Sequence, residues 1–147
     1  MSYGIRKYRT SQANTASRED LLILLYEGAI RFLERSVFEL DAGNLSEHKM
    51  YLRRGLAIIA ELQSTLDFDK GGEISMQLFD LYGFMMEQLS LANIRKDDQY
   101  ILIVIANLEI LLEGWRDAVR QVKEKAGLHG VAHVEQVPGR RLAGGAY

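Results

Sequence analysis

The sequence contains no cysteine and a single proline, Pro138. Without cysteine there are no disulfides, thiolate nucleophiles, zinc–thiolate sites or iron–sulfur clusters. Without proline before position 138, nothing removes a backbone donor from residues 1–137, which favours long uninterrupted helices. Histidine is scarce, at His48, His129 and His133, and tryptophan occurs once, at Trp115. The opening residues Met1–Arg6 have no apolar core of the kind a signal peptide carries. The longest apolar run, Tyr100 to Leu112, is broken by Asn107 and Glu109 and falls short of the roughly 20 residues that a membrane span requires. These features lead us to expect a soluble, cytoplasmic protein.

What is present is ordinary globular material. The 147 residues are 48% hydrophobic and 26% charged, enough for one domain with a core of its own. The net charge of -2 is uneven. Residues 1–16 carry Arg6, Lys7 and Arg9 and no acid, and residues 126–147 carry Arg140 and Arg141 against Glu135. The segment between them is therefore acidic, which argues against nucleic acid as the main partner.

Turn signals divide the chain into four helical stretches. Ser17-Arg18-Glu19-Asp20 reads as a capping box ahead of Leu21, Leu22, Leu25, Ala29, Phe32 and Leu33. Gly43 suits the left-handed position that closes this helix. Asn44 or Ser46 then caps a second helix with the stripe Leu52, Leu56, Ile59, Leu62, Gln63 and Leu66. A loop is expected over 67–72, followed by a third helix bearing Ile74, Leu78, Leu81, Tyr82, Met85, Leu89 and Ala92. Asp97 or Asp98 caps a fourth helix that runs to about Lys125, with Arg120, Lys123 and Lys125 near the negative end of its dipole. Ile101–Ile105 is β-branched enough for a strand. The helical pattern nevertheless continues through Leu108, Leu111, Leu112, Trp115 and Val119 without a turn, and a lone strand has nothing to pair with. Short connections force antiparallel neighbours. The expected fold is all-α: an up-down-up-down four-helix bundle over 17–125, with an N-terminal cap segment (1–16) and a flexible C-terminal tail (126–147). Gly28, Gly55, Gly83 and Gly114, one per helix, suggest close backbone approach, between helices in the simpler reading or to a ligand helix.

No catalytic pattern accompanies this bundle. Di-iron bundles use Glu-x-x-His pairs, and no Glu here has a His three residues on. His129 and His133 have the spacing of one helix face but no third ligand nearby, and they read as solvated tail residues. Met85 reads as core, Gly71-Gly72 lacks the phosphate-loop pattern, and His48, between Glu47 and Lys49, reads as an exposed polar residue. The basic pairs Arg53-Arg54 and Arg95-Lys96 read as solvated surface. We expect neither an enzyme nor a cofactor. What does stand out is surplus apolar surface. The first helix adds Ile23, Leu24, Tyr26, Ile30, Val37 and Phe38 to its stripe, and the fourth is apolar nearly all round from Ile101 to Leu112. That is more than a four-helix core can hide, and leftover grooves between helices suit an amphipathic partner helix.

Several segments stand in a fixed order: Gly4-Ile5-Arg6-Lys7-Tyr8, Thr15-Ala16-Ser17, Leu25-Tyr26-Glu27-Gly28-Ala29 and Ile58-Ile59-Ala60-Glu61-Leu62, then Lys70-Gly71-Gly72-Glu73-Ile74, Leu81-Tyr82-Gly83-Phe84-Met85 and Leu91-Ala92-Asn93-Ile94-Arg95-Lys96-Asp97. Together, over roughly residues 4–119, they resemble the flagellar secretion chaperone FliS family. Arg18 stands where the family usually has proline, and Trp115 precedes Arg116 where the family commonly has tryptophan after the alanine. The resemblance implies a four-helix bundle without catalysis. It also implies that the protein binds the disordered C-terminal segment of flagellin, prevents its premature polymerisation and keeps it competent for the flagellar type III export apparatus. The candidate partner-binding residues are Ile59, Leu62, Leu66, Ile74, Leu78 and Tyr82 for a groove, and Ile5 and Tyr8 for an arm that covers it. The free protein is expected to be a monomer or weak dimer. The competing expectation is a homo-oligomeric structural bundle whose spare apolar faces meet each other.

Overall fold

A computed structural model describes residues 17–132. They form four helices: α1 (Arg18–Asp41), α2 (Leu45–Ser64), α3 (Phe68–Arg95) and α4 (Gln99–Ala132). At 1.5 Å per residue the helices run from about 30 to about 50 Å. Each packs on its sequence neighbours, and α4 returns to α1, so the helices form a closed ring in chain order. The all-α, up-down-up-down bundle expected from the sequence is therefore the fold. The Ile101–Ile105 stretch is helical.

The helix ends follow local chemistry. Ser17 Oγ accepts the Asp20 amide at 3.0 Å, satisfying one of the orphan donors of the first turn. Gly43 adopts φ 84 just past the end of α1, as expected. Asn44 occupies the cap position of α2, yet its side chain makes no capping bond there. It donates instead to Glu39 Oε1 at 2.8 Å. Asp97 Oδ1 accepts the Gln99 amide at 2.9 Å to open α4.

Two boundaries differ from the sequence expectation. Residues 68–71 are not an open loop. Asp67 Oδ1 accepts the amides of Asp69 and Lys70, both at 3.0 Å, and winds one helical turn. Gly72, at φ 52 and ψ -122, then breaks the turn from the main body of α3, a conformation that only glycine adopts without strain. Buried Ser75 ties the far side of the break back, donating to Asp67 O at 2.9 Å. The second difference is that α4 passes Lys125 and continues to Ala132. Arg120 and Lys123 are therefore not final-turn residues: Arg120 pairs with Asp117, and Lys123 reaches Asp20 of α1 at 3.3 Å.

The core contains Leu22, Leu25, Ala29 and Leu33 of α1 and Leu52, Ile58, Ile59 and Leu62 of α2. It continues with Leu78, Met85 and Leu89 of α3 and Ile101, Val104, Leu108 and Leu112 of α4. At its centre the hydroxyls of Tyr26 and Tyr82 meet at 2.5 Å. Each phenol thus satisfies the other in an apolar interior, which avoids the cost of an orphaned buried hydroxyl. Burial pushes the Tyr26 hydroxyl up to about 12, with hydrogen bonding to Tyr82 and Trp115 opposing the rise. Burial, with Tyr26 beside it, pushes Tyr82 up as well.

The α1–α2 pairing is the closest in the bundle. A Cβ built on Gly55 would lie 2.6 Å from Leu33 Cδ2, so glycine is what lets these helices meet. His48 belongs to this seam, and its expected exposure is corrected. It is fully buried, with Nδ1 2.9 Å from Ser36 Oγ and 3.0 Å from Ser36 O. Ser36 Oγ also donates to His48 O at 3.1 Å. Ser36 thus supplies the partners of Nδ1, while the buried Nε2 has none among the described residues.

Candidate partner groove

The surplus apolar surface predicted for the fourth helix is real and localised. Ile101, Val104, Leu108, Leu112 and Trp115 repeat at intervals of three or four and fill the core. Leu102, Ile103 and Ile110 lie outside that stripe and are exposed. On α3, Leu78, Tyr82, Met85 and Leu89 point inward, while Ile74, Met76, Phe79 and Phe84 are exposed.

Two of these exposed residues, Ile74 and Ile110, border a groove of about 390 Å³ between α3 and α4. Ile74, Gln77, Leu78 and Leu81 form one wall, and Ile110, Leu111, Gly114 and Trp115 form the other. Ile110 is 71% exposed and Ile74 52% exposed at the rim. Gly114 differs from Gly55 in that a Cβ built on it meets nothing within 4 Å. The bundle therefore gains nothing from its bareness, and the space in front of it is open to something outside. Such a concave apolar strip, with a bare backbone in one wall, is a shape that receives an amphipathic helix.

Two other depressions differ in chemistry. The larger, about 690 Å³ between α1 and α4, is lined by Glu27, Arg31, Glu109, Glu113 and Arg116, with Ile30 and Leu112 beneath. Arg116 bonds Glu27 across the cleft. A smaller one at the α1–α2 edge involves Leu21, Leu25, Leu62 and Thr65. Among the described residues no group of three or more His, Asp or Glu is arranged to hold a metal ion. No helix there is long and apolar enough to cross a membrane.

The structure divides the sequence-predicted groove residues. Ile74 stands open at the groove, and Leu78 forms part of its wall. Ile59 and Tyr82 are sealed in the core, Leu66 is buried with them, and Leu62, also buried, borders the small α1–α2 depression. Periodicity put Ile59, Leu62 and Leu66 on the stripe of the second helix and Tyr82 on that of the third with Leu78, and a helix stripe does not announce which of its members the neighbouring helix covers. Ile5 and Tyr8 lie outside the described residues. Sequence reasoning did not single out Leu81, Ile110, Leu111 and Trp115 as groove residues, and it offered Gly114 only as one of four glycines for close approach, between helices or to a ligand helix. The signal for Ile110 was present, since it lies off the core repeat in the helix with the broadest apolar face.

Comparison with known proteins gives a consistent answer. The family model described as "Flagellar protein FliS" matches residues 1–122. A Campylobacter jejuni protein named flagellar secretion chaperone FliS is 36% identical over 110 residues, covering 75% of this chain and 86% of its own. The Salmonella typhimurium protein of the same name is 34% identical over 128 residues, 84% of this chain and 92% of its own. The Bacillus subtilis counterpart is 25% identical over 126 residues, 85% of this chain and 93% of its own.

Proposed function

Because the chain belongs to the FliS family of flagellar secretion chaperones, we propose that it binds the C-terminal segment of flagellin and holds it unpolymerised for export. In this reading the protein acts in the cytoplasm as a stoichiometric binding partner, not an enzyme. The observation that carries the reading is the open α3–α4 groove. A partner that folds on binding spends several kcal/mol on becoming ordered, so it needs a preformed apolar track to recover that cost. Ile74, Leu78 and Ile110 supply such a track, and Gly114 lets a helix backbone come close. With its apolar face buried in the groove, the client segment cannot pack against another flagellin. The arm bearing Ile5 and Tyr8 would compete for the same surface in the free protein.

The test is a calorimetric titration of the full chain with flagellin from the same organism and with flagellin lacking its C-terminal segment. One-to-one binding to the first and none to the second is the expected result. Equal binding to both overturns the proposed epitope. Binding to neither, with a stable dimer in light scattering, favours the self-associating bundle instead. Deleting residues 2–14 should change the association rate if the arm covers the groove, and leave it unchanged if it does not.

A further inference from the structure

The ring of helices places the α1–α2 seam on the side away from the α3–α4 groove. Its outer face carries a continuous alternation of rings and guanidinium groups. Arg35 lies over Phe38 and Tyr51, its Cζ 5.8 and 5.2 Å from the two ring centres. Arg54 lies over Tyr51 and Phe32, at 5.7 Å from each. The order is Phe38, Arg35, Tyr51, Arg54, Phe32, crossing twice between the helices. Phe32 and Tyr51 also stack on each other at 6.3 Å.

A guanidinium held over an aromatic ring has its flat face occupied and its N–H edge left for other partners. That edge is a fork matching a carboxylate. Arg35 has part of its fork engaged: its Nε bonds Glu39 Oε2 at 2.8 Å, and Glu47 adds to the negative field around it. Glu39 is itself buried and satisfied by Arg35 and Asn44. Arg54 makes no ion pair among the described residues. It is exposed, pre-positioned by two rings, and flanked by Arg53. At the other end of the row, Phe38 is 63% exposed. An exposed aromatic at one end and, next to the last ring at the other, a guanidinium without an ion pair among the described residues form a mixed surface typical of interface anchors.

We propose that this face binds an acidic helical segment of a second protein, a carboxylate taking the Arg54 fork and an apolar side chain covering Phe38. The chain's own termini do not complement it. Residues 1–16 carry three basic groups and no acid, and residues 133–147 carry Glu135 against Arg140 and Arg141. Because the face lies away from the groove, both partners fit at once, and the proposal stands whether or not the groove takes flagellin.

The experiment follows the arginine side-chain N–H signals of the 15N-labelled full chain. The probes are a blocked synthetic helical peptide of Ala, Leu and Glu with Glu at i and i+4, the same peptide with Gln for Glu, and an oligouridylate. The Glu peptide should shift the Arg54 and Arg35 signals saturably, and the Gln peptide at least about tenfold more weakly. Arg54→Lys, which keeps the charge but loses the fork, should bind the Glu peptide at least about tenfold more weakly with an unchanged melting temperature. Ile110→Glu, in the groove, should leave this binding untouched. The proposal is overturned by any of four results: no saturable shift with the Glu peptide, full binding by Arg54→Lys, stronger shifts with the oligouridylate, or the same shifts on concentrating the protein alone.

Discussion

Single atoms decide much of this bundle. Leu33 is fully buried against Gly55, so its side chain has nowhere to retreat if a methyl group is added opposite. Gly55→Ala should therefore destabilise the protein, by about 1–3 kcal/mol for overpacking, despite alanine's better helix propensity. Urea unfolding followed by circular dichroism would show it, and a variant as stable as wild type would contradict the close approach. The Tyr26–Tyr82 pair leads to a pH effect. Both hydroxyls titrate above the usual tyrosine range because ionising either places a charge in the core. A raised folded pKa means the contribution is intact below the unfolded value, near 10, and is lost as pH climbs from there toward the folded values. Stability should thus fall above about pH 10, and Tyr82→Phe should lessen the slope. A slope unaltered by Tyr82→Phe would show that other groups govern alkaline unfolding.

At the scale of an element, the helix ends balance opposing charges. Asp98, at the start of α4, has its pKa raised by burial and then by the nearby carboxyl of Asp41, the last residue of α1. The Asp41 carboxyl thus disfavours the charged form of Asp98. Removing one charge with Asp41→Asn should raise the melting temperature at pH 7, and the gain should shrink as the medium is acidified and Asp98 gains its proton. An equal gain at every pH would mean that repulsion is not the cause. Glu39 works in the opposite sense. Its pKa is lowered by the Asn44 amide and by Arg35, so its contribution is present above the unfolded carboxylate range and disappears as pH falls through the folded value. Both effects meet at the same end of α1, where a scan of stability against pH reads their difference.

At the scale of the whole molecule, the two sides of the ring differ in kind. The α1–α2 side is closed by Gly55 and by the buried Ser36–His48 contact. The α3–α4 side is the looser pairing and leaves its apolar residues open. Ile110→Glu should leave the melting temperature nearly unchanged, because the side chain is already in water. It should weaken flagellin binding by roughly tenfold or more, since a buried unpaired carboxylate costs more than the about 1.4 kcal/mol that tenfold represents. Unchanged affinity by calorimetry would place the client elsewhere on the bundle.

The sequence by itself determined the helices. Missing proline, capping serine and aspartate, Gly43 and a sustained repeat of three and four are local properties, and they specify four helices joined by short turns that can only run antiparallel. It also determined that apolar residues would be left over, because counting them against the width of one helix face needs no coordinates. Which residues were left over was decided by the tertiary structure. Ile59 and Leu62 on α2 and Tyr82 on α3 sit on helical stripes just as Leu78 does, yet a neighbouring helix closes over them, whereas Ile74 and Ile110 stay outside at the α3–α4 seam. His48 shows the same limit. Its charged sequence neighbours point to solvent, but Ser36, twelve positions earlier, becomes its partner only when α1 and α2 pack together. Burial is a relation between elements, and a single strip of sequence carries only one side of it.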